Sequence, residues 1–282
     1  MLFPLTVTDR YDRFGWIPAL PKVARYVARS GLDNRAFDHA EVALSERGGR
    51  RRLACPSGIA KISLIEVFQN REFDLPTGPI GTRVAERLQQ RLREGGRPLI
   101  IDAGANIGAT AVYFTLMYPD ATVVAVEPQS DNFRSLEANT HALPNVVRKQ
   151  AALHGEAGRQ LEVVQPASRG ADAFRTVAVS EVGAGLQRLE RIETCTIRSL
   201  LDEFSGHFPF ILKVDIEGHE KEIFAADPDL LDRFDVIFFE PHDWMLPGEA
   251  TSQSFLSFLA GHARDFLISG DKIISVRREA AA

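Results

Sequence analysis

Short, mainly apolar runs recur along the chain from residue 98 onward, each followed by polar or glycine residues. The first covers 99–102, the second 122–126 and the third 146–153. Apolar runs of this length, bounded by turn chemistry, predict buried strands. Between them, 107–117 and 132–140 carry apolar positions at helical spacing, with Asp131 placed to cap the second helix. Strand, helix, strand, helix, strand in this order predicts a parallel sheet with helices on its faces.

The rhythm breaks over 155–205. Short stretches at 161–164, 176–179 and 192–197 predict an inserted antiparallel hairpin or meander. Residues 165–173 and 180–190 read as its mobile loops, and 199–204 as a short helix capped by Ser199. Alternation then resumes with a strand at 210–214, a helix at 219–226, a strand at 235–239 and a helix at 251–262. A hairpin of 266–268 with 272–276, turning at Gly270 and Asp271, completes the pattern. Ahead of the core, helices are expected at 22–30, 38–46 and 80–94, and a strand at 59–64. Residues 1–95 thus read as an N-terminal extension packed on a core of 96–282, placed to cover the substrate side.

Composition narrows the picture only slightly. The 282 residues are 45% hydrophobic and 25% charged, an ordinary globular balance. A net charge of −5 gives no support to a nucleic-acid-binding surface. No run approaches the roughly 20 apolar residues of a membrane span. The first residues lack the basic and apolar regions of a secretory signal, so a cytoplasmic protein is expected. Cys55 and Cys195 stand at no metal-like spacing and read as reduced thiols.

The candidate chemistry sits at the ends of the predicted strands. In an open parallel sheet, ligands bind beyond the carboxyl ends of the strands. There the chain places Asp102 and Gly104, Glu127, Asp215 and Glu217, and Glu240 and His242. Asp102-Ala-Gly104-Ala-Asn106-Ile-Gly108 reads as a strand delivering a nucleotide-like ligand to a helix start. Asn106 occupies the place of a middle glycine, which disfavours a pyrophosphate. Glu127, roughly 20 residues on, is placed to accept hydrogen bonds from two vicinal ribose hydroxyls, a geometry common to nicotinamide and adenosyl cofactors.

Three motifs in order carry a resemblance. They are the Asp102–Gly108 loop, Glu127-Pro128 with Asn132, Phe133 and Asn139, and Lys213-Val-Asp215-Ile-Glu217-Gly218-His219-Glu220. Together they resemble the FkbM-type family of S-adenosylmethionine-dependent methyltransferases, over about half of the chain. The resemblance implies an α/β fold: a seven-stranded Rossmann-like sheet, mostly parallel, with an antiparallel last strand. It also implies S-adenosylmethionine as cofactor and methyl transfer to a hydroxyl, on a small-molecule or glycan acceptor such as a sugar or natural product. Gly104, Asn106 and Gly108 would then pass close to the methionine part, with Asp102 beneath them. Glu127 would hold the ribose, Pro128 and Asn132 would flank the adenosine, and Ala151 and Ala152 would lie near the adenine. Asp215 would face the sulfonium end and the acceptor.

Proton removal from the hydroxyl calls for a base, with Asp215, Glu217, His219, Glu240 and His242 as candidates. His242 is the first choice, because imidazole titrates near neutrality. His219 is expected to shape the pocket and Glu220 to serve the helix start, where acids are favoured. No strict ligand spacing marks a metal site, so none is assigned, although Asp215, Glu217, Glu240 and His242 are placed to converge. Arg169, Arg175, Arg188 and Arg191 read as a solvated face of the insertion, with an acidic substrate as the alternative. The competing functions are a nicotinamide-dependent oxidoreductase, disfavoured by the loop and by the lack of a Tyr-x-x-x-Lys pair, and a non-catalytic cofactor-binding module. Oligomeric state is open, a homodimer included.

Overall fold

Leu99, Ile100 and Ile101 are each completely buried, which only a strand covered on both faces allows. The computed structural model describes residues 39–44, 49–55, 58–166, 174–183 and 185–278. Two short strands open the described chain: β1 (His39–Leu44) and β2 (Gly49–Ala54). Helices α1 (Gly58–Leu64) and α2 (Pro79–Arg93) follow, α1 running on into a π-helical turn over Ile65–Gln69. The core then alternates through β3 (Pro98–Ala103), α3 (Ala109–Met117), β4 (Thr122–Val126), α4 (Ser130–Thr140) and β5 (Val146–Lys149). An insertion follows, with β6 (Ala152–Leu153), β7 (Gln160–Pro166), β8 (Arg175–Ala178) and β9 (Leu186–Cys195). The core resumes with α5 (Ile197–Glu203), β10 (Phe208–Val214), α6 (Glu220–Ala226), α7 (Pro228–Leu231) and β11 (Val236–Phe239). It closes with α8 (Gln253–Gly261), β12 (Arg264–Ser269) and β13 (Lys272–Arg277).

The main sheet has seven strands in the order β12-β13-β11-β10-β3-β4-β5. Every pairing from β11 to β5 is parallel, and β13 runs antiparallel to both of its neighbours. This is the Rossmann-like sheet with an antiparallel last strand that the motifs imply. Side chains alternate cleanly between two cores. Ile100, Val123, Ala125, Ile211 and Phe238 face one core, where α2, α3 and the segment before residue 76 pack. Leu99, Ile101, Val124, Leu212 and Phe239 face the other, covered by α5, α6, α7 and α8. Strand order reverses between β3 and β10, the place where such sheets open a crevice.

The insertion is richer than a meander. Its sheet runs β6-β9-β7-β8, with β7 between two antiparallel partners and β6 parallel to β9. The expected third strand therefore splits: β5 ends at Lys149, and Ala152 and Leu153 pair instead with Thr194 and Cys195. Residues 186–190, expected in a loop, belong to β9. Glu190 on that strand accepts a hydrogen bond from the Ser130 backbone N–H at 2.7 Å, docking the insertion on the start of α4.

Two N-terminal expectations are corrected. The strand expected at 59–64 is helical: Ala60, Leu64, Val67 and Phe68 enter the core cluster together, and that spacing is one helix face. Six residues of alternation fit either period. The helix expected at 38–46 is strand β1, which pairs antiparallel with β2; the arginine-rich sequence of β2 hid its partner. The helix expected at 22–30 lies outside the described residues. Caps shift as well. Gln129, not Asp131, caps α4 by accepting from the Asn132 N–H, and Thr196 caps α5 in a reciprocal pair with Ser199.

Helix α2 is fastened to the sheet by one buried carboxylate. Asp235 receives Arg87 at 2.8 Å, Arg277 at 3.0 Å and Arg91 at 3.4 Å. Removing one partner of a buried ion pair costs about 3–5 kcal/mol. Asp235→Ala is therefore expected to lower stability in urea denaturation by several kcal/mol; a loss below about 1 kcal/mol would mean that the arginines do not need it.

The tips of β3 and β10 interlock. Gly104 has φ +77°, and a Cβ there would lie 1.7 Å from the Asp215 carbonyl oxygen. Gly95 has φ +81° and open space. Gly95→Ala should cost only the conformational penalty, about 1 kcal/mol. Gly104→Ala adds a backbone clash and should shift the urea midpoint distinctly further; equal shifts would contradict the interlock.

Candidate active site

The register of the sheet aligns the strand ends. Ala103 lies beside Val126 on one side and Val214 on the other, and Val214 lies beside Phe239. The next residues, Gly104, Glu127, Asp215 and Glu240, therefore emerge along one edge. Gly104, Glu127 and Asp215 line a cleft that encloses about 1040 Å³, open solvent included. Of the residues singled out from sequence, Gly104, Asn106, Glu127, Pro128, Asn132, Ala152, Asp215 and Glu217 line it. Asp102, Gly108, Ala151, His219, Glu240 and His242 are not among its lining. The segment before residue 76 contributes Ser63, Glu66, Val67 and Phe73, and the insertion contributes Val163, Phe174, Arg175 and Thr176.

The glycine loop turns through three left-handed residues: Gly104, Asn106 at φ +50° and Gly108 at φ +85°. Asparagine tolerates this region better than other non-glycine residues, which explains Asn106 there. Gly104 and Ala105 both donate backbone N–H bonds to the Val126 carbonyl at 3.0 Å. The loop is thereby held against the β4 tip. Glu127 completes the clamp. Its carboxylate accepts from the Asn106 N–H at 2.8 Å and the Gln129 N–H at 3.0 Å. Burial pushes the Glu127 carboxyl up to about 7, against the pull of these backbone donors. Asn139 ties the far side of the loop down, donating to the Ile107 carbonyl at 2.7 Å and pairing with both backbone groups of Ala54.

Beneath the loop lies a buried charge pair. Lys213 is the register neighbour of Asp102, and its Nζ is 3.1 Å from Asp102 Oδ1. The same ammonium donates to the Gly104 carbonyl at 2.7 Å and stands 3.5 Å from Asp215. Burial pulls the ammonium toward neutrality, but Asp102 and Asp215 outweigh it and hold Lys213 charged. Burial pushes Asp102 up, against the pull of Lys213. A second buried cation, Lys272, contacts Glu72 at 2.5 Å and Glu240 and Asp271 at 3.1 Å. Glu240 is thus engaged by a lysine rather than free to act in the cleft. The Phe73 ring lies under both ammonium groups, 5.9 Å from Lys213 and 5.4 Å from Lys272.

His242 sits one layer behind the cleft. Its Nδ1 is 2.6 Å from Glu220 Oε1, and its Nε2 is 3.6 Å from Asp215 Oδ1. Burial alone would lower its pKa; the hydrogen bond to Glu220 and the charges of Glu220, Asp215 and Glu240 raise it instead to about 9. Glu220, read from sequence as a helix-start acid, is completely buried, and its Oε2 finds no hydrogen-bond partner among the described residues. Glu217, in the left-handed region at φ +54°, faces the cleft; burial and then Asp215 push its carboxyl up to about 8. His219 turns away, packing edge-on against His154 with 5.1 Å between ring centres. One donor atom each from Asp215, Glu240 and His242 falls within 4.8 Å of the others. Lys272 and the Glu220-held imidazole already balance that set.

Sequence reasoning missed Lys213, Glu220 and Lys272 as parts of the site. The signal for Lys213 is a lysine inside an otherwise apolar strand, which requires a buried carboxylate beside it. Nothing in the spacing marks Glu220 or Lys272, because their partners come from other strands.

Among the described residues no helix is long and apolar enough to cross a membrane. The family model for the methyltransferase FkbM domain matches residues 102–274. Methyltransferase 1 of Beauveria bassiana (strain ARSEF 2860) is 26% identical over 147 residues, which cover 46% of this chain and 58% of that protein. Among solved structures, the precorrin-6y C5,15-methyltransferase of Geobacter metallireducens GS-15 aligns with a TM-score of 0.38 and 12% identity, over 65% of this chain and 81% of that one. An O-methyltransferase of Bacillus cereus in complex with SAH aligns with a TM-score of 0.36 and 13% identity, over 77% of this chain and 91% of that one. With the family's domain matched from Asp102 at the glycine loop to Ile274 in the antiparallel last strand, the chain belongs to the FkbM methyltransferase family.

Proposed function

We propose that this chain is an S-adenosylmethionine-dependent O-methyltransferase acting on a hydroxyl of a sugar, glycan or natural product. The observation that carries the reading is the Glu127 carboxylate, held at the β4 tip beside the glycine loop and open to the cleft. A carboxylate offers about four lone-pair sites; two are taken by backbone N–H groups and a third only weakly, by the Asn132 amide at 3.5 Å, which leaves room for a ribose diol. Asn106 in place of a glycine suits an amino-acid tail rather than a pyrophosphate. Ala152, small and facing the cleft beside Phe174 and Val163, leaves space for a flat base.

When bound, S-adenosylmethionine supplies a methyl group already activated by its sulfonium. The chain's own residues then bind, align and deprotonate. Gly104 and Asn106, which line the cleft, receive the methionine part above Asp102 and Lys213, and Gly108 shapes the turn behind them. Glu127 takes the ribose, and Pro128, Asn132 and Ala152 the adenosine. Asp215 takes the hydroxyl proton at its carboxylate, because it faces the cleft, whereas His242 does not. His242 holds Asp215 in orientation, and Glu220 holds His242. Ser63, Glu66, Val67 and Phe73 lining the cleft support a covering role for residues 1–95.

Calorimetry with S-adenosylhomocysteine tests the cofactor directly. Binding is expected, and it should weaken about tenfold or more in Glu127→Gln. Affinity should also rise between pH 6 and 8, because the diol binds the carboxylate and Glu127 titrates at about 7. That slope should flatten in Glu127→Gln. Binding of NADH instead would overturn the reading. The raised Glu127 and Glu217 carboxyls favour the folded state at low pH. Their stabilisation is full below 4.5 and is lost as pH rises through about 7 and 8.

The division of labour between Asp215 and His242 has its own test. Ring-nitrogen NMR should show His242 titrating near pH 9, and Glu220→Gln should bring it down by at least about one unit. With an acceptor in hand, Asp215→Asn should cut kcat about 100-fold or more while leaving S-adenosylhomocysteine affinity intact. Full turnover in Asp215→Asn together with none in His242→Gln would return the base role to His242.

A further inference from the structure

We propose that Arg175 is the anion-binding residue of the acceptor subsite, so that the molecule methylated carries a carboxylate or phosphate. The inference rests on the methyl-transfer reading and names the class of its acceptor. Three cations line the cleft: Lys213, Lys272 and Arg175. Lys213 is saturated by Asp102, Asp215 and the Gly104 carbonyl, and Lys272 by Glu72, Glu240 and Asp271. Arg175 differs. The residue is half-buried at the cleft wall, and its Nε is buried with no hydrogen-bond partner among the described residues.

A guanidinium does not deprotonate in a protein, and a buried donor without a partner costs about 1–3 kcal/mol. An anion that reached this wall of the cleft would relieve that cost. The insertion's other described arginines have no such need: Arg191 pairs with Glu162 at 2.9 Å, Arg159 with Glu156 at 3.5 Å, and Arg188 is exposed. The turn against β8 supplies no neutralising charge. The Thr176 carbonyl approaches Gly218, but the adjacent Glu217 is held up to about 8 by burial and by Asp215, and so is an uncharged carboxyl at neutral pH. The planar fork of Arg175 fits a carboxylate or phosphate bidentately.

The cofactor does not supply that anion. Its one anionic group belongs to the methionine part, at the glycine loop. Arg175 stands instead on β8, between Phe174, which packs on the Ala152 cluster, and Thr176, which faces Gly218. An anion at Arg175 therefore belongs to the second substrate.

The test uses the full chain saturated with S-adenosylhomocysteine. sn-Glycerol 3-phosphate and lactate serve as probes, with glycerol as the neutral control. One or both anions should bind and glycerol should not. Which anion binds tells phosphate from carboxylate. Arg175→Met should weaken anion binding about tenfold or more, while Arg175→Lys retains part of it. S-Adenosylhomocysteine affinity should stay within about twofold of wild type in both variants. Without ligand, Arg175→Met should melt no lower than wild type, because it removes an unsatisfied donor. The proposal fails if neither anion binds wild type, or if Arg175→Met binds as well. It fails also if the anion competes with S-adenosylhomocysteine, or if the variant loses that ligand, since Arg175 then serves the cofactor. A clear fall in melting temperature would make Arg175 a fold residue and sink it too. If wild type does not bind S-adenosylhomocysteine, the methyl-transfer reading falls, and the same anion comparison on the free protein still decides Arg175.

Discussion

The site depends on one buried ammonium group. Lys213 sits next to the C-terminal end of β10 with almost no solvent exposure, opposite Asp102 on β3. A buried ion pair is weak evidence for stability, because desolvation opposes the attraction. Its value here is positional. The same ammonium grips the Gly104 carbonyl, Asp102 and Asp215, so it binds together the two loops that leave the sheet where strand order reverses. A one-residue slip of β10 against β3 would turn Lys213 into the other core and strand Asp102 uncompensated. The charge pair thus specifies the register that brings Asp215 to the glycine loop.

The fastening is repeated at a lower level. Gly104 passes so close to the Asp215 carbonyl that no side chain fits between them. Gly104 and Ala105 hang on the Val126 carbonyl, and Glu127 reaches back to the Asn106 amide. Three strand tips are therefore cross-linked through backbone groups before any ligand arrives. Such preorganisation matters for methyl transfer, in which the enzyme's main task is alignment.

Much of this was legible in the sequence, for a physical reason. Strands buried on both faces must be apolar throughout, so β3, β4, β10 and β11 declare themselves, and the acids that end them mark the ligand edge. Helix α1 did not declare itself, because six alternating residues fit both periods and only the longer set ending at Phe68 separates them. Strand β1 was hidden because its partner β2 carries three consecutive arginines rather than an apolar pattern. Glu220 shows the deeper limit. An acid in the first turn of a helix has a sufficient local explanation, and nothing local reveals that His242 from another strand tip will cover it. Residues whose role is defined by a partner distant in sequence are visible only once the sheet order is known.

The charges of the cleft follow a common logic. Along the edge of the sheet, Asp215, Glu217 and Glu127 form an acidic wall, partly relieved by Lys213 and partly by protonation, as the raised Glu127 and Glu217 carboxyls record. Such a wall favours a cation, and a cationic ligand would draw both carboxyls toward their charged forms. Arg175 on the insertion opposes it with a charge of the other sign, and its Nε has no hydrogen-bond partner among the described residues. On the reading proposed above, these halves divide two substrates between them, a sulfonium cofactor against the sheet edge and an anionic acceptor against the insertion. The sheet edge then holds the methyl donor, and the insertion selects the molecule that receives the group.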